Sequence, residues 1–226
     1  MFQQGCNRLW IAQSIQQKRD SMSQITTGLR SILSIPLVYS GFQYFMGAHG
    51  FWQTFIRETI RVKAGDKVLD IGCGPADVLN YLQSGVGYWG YDISPEYIQK
   101  ARKKYGNRGR FVCKLLEPAD LEKLPKFDVV LLTGVFHHLD DNVARNVVSL
   151  AYQALKQGGR LVSVDPCYAP NQNPIARFLI SKDRGQNVRV ESAYKQLVNK
   201  AFKNTQTQVV HRAWIPYTHC YMVCTK

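Results

Sequence analysis

Acidic residues are scarce in this 226-residue chain, with 16 Asp and Glu against 29 Lys and Arg and a formal net charge of +13. The imbalance favours anionic partners such as nucleic acid, acidic lipid or a phosphorylated or carboxylated small molecule. It is uneven: residues 100–114 hold seven basic side chains and no acidic one, and from position 171 onward there are nine against two. A C-x-x-C pair is missing, and the six cysteines (Cys6, Cys73, Cys113, Cys167, Cys220, Cys224) have no nearby histidine at zinc-site spacing. Reduced thiols in a cytoplasmic protein are expected, with no metal. In "HCYMVC", Cys220, Met222 and Cys224 fall on one strand face and read as buried packing. Residues 31–56 contain no Asp, Glu, Lys or Arg, yet Pro36, Gly41, Gln43, Gly47, His49, Gly50 and Gln53 interrupt them too densely for a membrane span. No basic start leads directly into an apolar segment with a small-residue cleavage site, so a secretory signal is not expected. Internal repeats and low-complexity segments are absent.

Hydrophobic residues at 45% and charged residues at 20% match a globular protein that buries one core. Residues 1–57 are expected to form an extension and an apolar helical lid, and residues 58–226 the main domain, with a lid insertion at about 167–190. From residue 66 onward short apolar runs alternate with amphipathic segments, a βαβα grammar. Strands are predicted at "KVLDIG", "GYWGYD", "GRFVCKLL", "FDVVLLTGVF" and "GRLVSVD". Helices are predicted at "PADVLNYLQSG", closed by Gly85, at "SPEYIQKARKKYG", with Ser94 as its N-cap, and at "DDNVARNVVSLAYQALKQGG", stopped by Gly158. A further helix near 193–202 precedes two strands, "TQVVHRAW" and "THCYMVCT". The expected fold is α/β, a Rossmann-like, mostly parallel seven-stranded sheet with helices on both faces and a C-terminal antiparallel hairpin. Ligands of such sheets lie beyond the carboxyl ends of the strands, where strand order reverses.

The turn after the first strand, "DIGCGPAD", lets backbone approach a ligand closely at Gly72 and Gly74. It departs from the dinucleotide pattern G-x-G-x-x-G because Asp77 stands in the third glycine position. With Asp70 two residues before the first glycine, two carboxylates flank the turn and would repel a pyrophosphate. A ligand with cationic groups and no phosphate removes that objection.

"VLDIGCGPAD", "YWGYDIS", "FDVVLLTGVFHHLDD" and "LKQGGRLVSVDP", in that order, resemble the motifs of the class I S-adenosylmethionine-dependent methyltransferases. The resemblance covers residues 66–166 and the terminal hairpin, and it implies S-adenosylmethionine as cofactor. It places Asp70 beneath the methionine moiety, Gly72, Cys73 and Gly74 around it, Asp92 on the ribose hydroxyls, Ile93 along the adenine and Thr133 with Gly134 beside the methyl donor. An acidic residue frequent after the third strand is replaced here by Leu115. That shifts adenine recognition to backbone amides near Leu116, or to Glu117 or Asp120.

Methyl transfer is an in-line displacement at a sulfonium, so the protein positions the acceptor and removes its proton where it has one. His137 and His138 are the candidate bases, with helix entry as their alternative role. The apolar helix 175–180 and a basic end with Arg184 and Arg189 would join "IPLVYSGFQYFMGAHGFW" as a lid, and Tyr39, Tyr44 and Arg184 are candidate substrate contacts. The favoured acceptor is an oxygen or nitrogen of a small molecule, an anionic one included, with Arg184 either holding an acceptor carboxylate or phosphate or pairing with Asp183 or a helix terminus. A macromolecular or lipid acceptor on the basic clusters, and a non-catalytic cofactor-binding module, remain as alternatives. Nucleic acid and membrane surfaces are the less favoured partners.

Overall fold

The computed structural model describes residues 53–183, 185–212 and 217–226. Seven strands form one sheet in the order β3-β2-β1-β4-β5-β8-β7. They are β1 (Lys67–Ile71), β2 (Gly87–Asp92), β3 (Arg110–Cys113), β4 (Phe127–Thr133), β5 (Leu155–Tyr168), β7 (Asn204–Arg212) and β8 (Tyr217–Thr225). An eighth, β6 (Arg189–Val190), pairs with the end of β5 and adds one short strand to the seven expected. The β1 to β5 ladders are parallel, and β8 runs antiparallel to both β5 and β7. Strand order reverses between β1 and β4, so the carboxyl ends of these two strands border the crevice in which such sheets bind ligands.

Continuous apolar runs make the central strands, and their alternation divides the core in two. Val68 of β1 with Val129 and Leu131 of β4 face one layer, with Phe55, Ile60, Ile98 and Phe111. Leu69 and Ile71 of β1 with Val130 and Leu132 of β4 face the other, with Ala144, Val148, Leu197 and Met222. Each such side chain contributes about 1.5–3 kcal/mol by leaving water. Phe55 and Ile60 lie in this core on either side of the boundary expected at 57/58. Cys220, Met222 and Cys224 are all buried, as expected of one strand face.

Helix α1 (Pro95–Tyr105) begins at the predicted Ser94 cap, whose hydroxyl accepts from the Tyr97 amide at 3.3 Å. A single turn, α2 (Pro118–Leu121), precedes β4, and α3 (Asp141–Ala154), α4 (Pro174–Ser181) and α5 (Glu191–Val198) follow. Two expectations are corrected. The segment "PADVLNYLQSG" makes only a 3-10 turn, Asp77–Asn80, because Ala76 takes a left-handed conformation (φ 59°) that breaks helical propagation. Helix α3 stops at Ala154, three residues before Gln157, because Leu155 turns extended and pairs with Phe127. Among the described residues no helix is long and apolar enough to cross a membrane. The uncharged stretch 31–56 lies outside the described residues up to position 52, and so do Cys6, Tyr39, Tyr44 and Arg184.

Candidate cofactor site

The loops after β1 and β4 meet at the strand-order reversal. Gly72 (φ +78°) and Gly74 (φ +53°) shape the first, and Gly134 (φ +69°) the second. A Cβ on Gly72 would come within 2.7 Å of Val135 Cγ2, so this position has room for glycine alone. The Gly72 and Cys73 amides both donate to the Tyr91 carbonyl, at 2.8 and 3.0 Å, which folds the turn back over β2. The Gly134 amide donates to the Val164 carbonyl at 2.8 Å and anchors the second loop on β5.

Asp92 ends β2 beside the first turn. Its Oδ2 accepts from the Gly74 amide at 2.9 Å and its Oδ1 from the Ser94 amide at 2.8 Å. Burial raises its pKa above the ordinary value, while the amides of Ser94, Gly74 and Ile93 favour the ionised form. The carboxylate is thus fixed in orientation, and each oxygen keeps accepting capacity for a ligand hydroxyl. Ile93 (41% exposed) follows Asp92, and Leu115 (37% exposed) lies two residues beyond Cys113, the register partner of Asp92 on β3. Leu116, the expected neighbour of an adenine, has its side chain in the core, so Leu115 is the outward member of the pair. Asp120 accepts from the Glu117 amide at 2.9 Å in a reciprocal cap and pairs with Lys114, which occupies both acids in local structure.

Asp70 is 1% exposed under the first turn. Tyr88 donates its hydroxyl to Asp70 Oδ2 at 2.7 Å, and Oδ1 has no hydrogen-bond partner among the described residues. Burial pushes this carboxyl up to about 7 against the opposing Tyr88 bond.

At the end of β4 the two histidines stack, with ring centroids 4.0 Å apart. His137 is buried: its Nδ1 lies 2.7 Å from Asp165 Oδ1 of β5 and its Nε2 lies 3.3 Å from Asp183 Oδ1. Its backbone amide also donates to Asp165 Oδ1, at 3.1 Å. Desolvation favours the neutral imidazole, but the two carboxylates outweigh it and raise the pKa to about 9. Asp183 also accepts from the Tyr217 hydroxyl at 2.6 Å and the Gly185 amide at 2.8 Å, and His137 holds its carboxyl far below the usual range. Burial pushes Asp165 up even with the imidazolium beside it. Arg189 completes the arrangement by donating to the Phe136 and Leu139 carbonyls at 2.8 and 2.7 Å and to Asp141 Oδ1 at 2.8 Å. His137 thus bridges two carboxylates that favour its protonated form, and it ties the segment after α4 to β4, β5 and β8. Held in this way, both of its ring nitrogens face carboxylates. His138, half-buried against it, keeps a position at the same strand end.

The structure thus brings Asp70, Gly72, Cys73, Gly74, Asp92, Ile93, Thr133, His137 and His138 to one edge of the sheet. Sequence reading missed Tyr88, Asp165, Asp183 and Tyr217. A polar residue interrupting the apolar run "GRLVSVD" was the available sign for Asp165.

Residues 69–161 match the family model described as a methyltransferase domain. An uncharacterised methyltransferase of Geobacillus sp. is 29% identical over 122 residues, covering 52% of this chain and 55% of the relative. A ubiquinone/menaquinone biosynthesis C-methyltransferase of Neisseria meningitidis is 31% identical over 157 residues, covering 61% of this chain and 62% of the relative. The aligned part thus spans little more than half the length of these curated relatives. The plantazolicin methyltransferase BamL, solved with a triazolic desmethylPZN analogue and S-adenosylhomocysteine, superposes with a TM-score of 0.57 at 18% identity, covering 87% of this chain and 93% of that one. Residues 69–161 therefore carry a methyltransferase domain, on the fold shared by solved S-adenosylmethionine-dependent methyltransferases. The residues present fit that cofactor: an oriented carboxylate at the end of β2, exposed apolar side chains just beyond β2 and β3, a turn with room for a close backbone approach, and a buried carboxyl with one oxygen unpartnered among the described residues.

Proposed function

We propose that the chain transfers a methyl group from S-adenosylmethionine to a small-molecule acceptor. The observation that carries this reading is Asp92, held by two backbone amides at the strand-order reversal with Ile93 and Leu115 exposed just beyond β2 and β3. Bound there, the cofactor supplies an electrophilic methyl group on a sulfonium. Asp92 accepts from the ribose hydroxyls, Ile93 and Leu115 cover the faces of the adenine, and the turn at Gly72, Cys73 and Gly74 encloses the amino-acid end. Thr133 and Gly134 border the position where the acceptor is held in line.

His137 positions the segment 183–189 rather than exchanging protons, which leaves His138 as the candidate base. With so little base chemistry at this edge, the reading extends from oxygen and nitrogen acceptors to activated carbon. The names of the quinone-biosynthesis C-methyltransferase relatives are in keeping with that extension. A small acceptor is favoured over a macromolecule because five of the seven basic residues at 100–114 have local partners. Lys100 pairs with Glu96, Lys104 with Asp77 and Lys114 with Asp120, while Arg102 and Arg108 donate to the Phe111 and Leu82 carbonyls.

Isothermal titration with S-adenosylmethionine, S-adenosylhomocysteine and NAD tests the reading. Micromolar binding of both sulfur ligands, none of NAD, and a loss of about 100-fold or more in Asp92→Ala are expected, since one charge-assisted bond contributes about 1.5–3 kcal/mol and Asp92 makes two to the ribose. If neither sulfur ligand bound the folded protein, the proposal would fall. Release of S-adenosylhomocysteine with candidate acceptors then identifies the substrate class.

A further inference from the structure

Asp70 is a buried acid with no cation paired to it among the described residues. It lies on the β1 face opposite Leu69 and Ile71, paired in register with Gly90 of β2 and Leu131 of β4. The groups that act on it are the Tyr88 hydroxyl, 2.7 Å from Oδ2, and the carboxylate of Asp92 at the end of the same strand. The Cys73 thiol, whose own pKa burial and the two carboxylates raise, lies over it in the turn, and Tyr105 of α1 stands behind Tyr88. Tyr105 in turn donates to Asp77, which pairs with Lys104. The chain makes room for this group. A Cβ at Gly90 would meet Cys73 Sγ at 2.8 Å and the Tyr88 ring at 3.0 Å.

A carboxylate removed from water costs several kcal/mol unless it is paired, and it keeps its proton instead. One hydroxyl donor offsets only part of that cost, and Oδ1 receives no hydrogen bond from the described residues. Placing a cation beside the turn reverses the balance, because attraction at short range in a dry site favours the ionised form. The turn that covers Asp70 is the one that would enclose the amino-acid end of the cofactor.

We infer that Asp70 and Tyr88 form a proton-holding pair beneath the turn after β1, which gives up its proton to solvent when a ligand's ammonium group occupies that turn. The inference rests on the cofactor reading above. Tyr88 acts here as a positioning residue: it holds Oδ2 and leaves Oδ1 without a hydrogen-bond partner among the described residues. Because the free carboxyl titrates at about 7, the coupling falls in the neutral range.

The experiment is isothermal titration of the whole chain with S-adenosylhomocysteine at pH 7, in phosphate and in Tris, whose different ionisation enthalpies report the protons exchanged. Release of about half a proton is expected, since near its pKa the group is half protonated. The dissociation constant at pH 6 should be about tenfold weaker than at pH 8. 5′-Methylthioadenosine, which keeps the adenosine and lacks the ammonium, should bind with no proton release. Asp70→Asn should remove both the release and the pH dependence for S-adenosylhomocysteine. Tyr88→Phe, which keeps the carboxyl and deletes the bond that favours its ionised form, should move the midpoint of the pH profile upward. Binding of S-adenosylhomocysteine without proton release and with one affinity from pH 6 to 8 would overturn the inference and leave the cofactor reading intact. An unmoved midpoint in Tyr88→Phe would overturn the role of Tyr88. If S-adenosylhomocysteine did not bind at any pH, the cofactor reading would fall and this inference with it.

Discussion

Replacing His137 by Gln is the sharpest test of how the site edge is held. His137 titrates at about 9 when folded, against 6.5 for the free side chain, because Asp165 and Asp183 flank it. With the folded pKa raised, the native state holds the extra proton, so the stabilisation is fully present below pH 6.5. It is lost as pH rises through 9. At about 1.36 kcal/mol for each tenfold change, the interaction contributes about 3 kcal/mol to folding at pH 6. Urea denaturation at intervals from pH 6 to 9.5 should show the wild-type midpoint falling with pH, and His137→Gln should lack that portion of the fall. At pH 6 the variant should be about 3–5 kcal/mol less stable, since removing one partner strands a buried carboxylate. Parallel pH profiles for the two proteins would refute the assignment of His137 as a charged clamp.

Gly72→Ala faces both a positive φ and the Val135 methyl at 2.7 Å, a stiff β-branched neighbour. It should cost about 1–3 kcal/mol in a thermal or urea scan and weaken sulfur-ligand binding together with stability. Arg189→Ala removes donors to the Phe136 and Leu139 carbonyls and to Asp141. A loss of about 2–3 kcal/mol is expected, with faster proteolysis of the segment 183–189. Asp70→Asn should stabilise the ligand-free protein at pH 8, by at most about 4 kcal/mol, because a carboxyl that titrates at about 7 rather than 3.8 loses stability as pH rises between those values. Equal stability of Asp70→Asn and wild type at pH 8 would show that the acid is solvated.

Much of the sheet was legible because parallel central strands, buried on both faces, need continuous apolar runs, and "FDVVLLTGVF" and "KVLDIG" supply them. The first helix was not legible. Its apolar spacing suited a helix, while Ala76, left-handed at the end of the glycine turn, left only a 3-10 turn. Likewise Leu155 fitted the helical stripe of α3, but the ladder with Phe127 claimed it for β5.

The sequence by itself determined the glycine turn, the acid at the end of β2 and their distance along the chain, because these depend on local backbone freedom and on strand length. Tertiary structure alone decided the states of the acids and histidines. Asp165 and Asp183 lie 28 and 46 residues from His137, and no local pattern announces that they meet around one imidazole. Nor does spacing show that Tyr88 reaches Asp70 across two strands. Charge on a buried group is set by desolvation and by the partners that the fold brings within a few ångströms, and those partners come from distant parts of the chain.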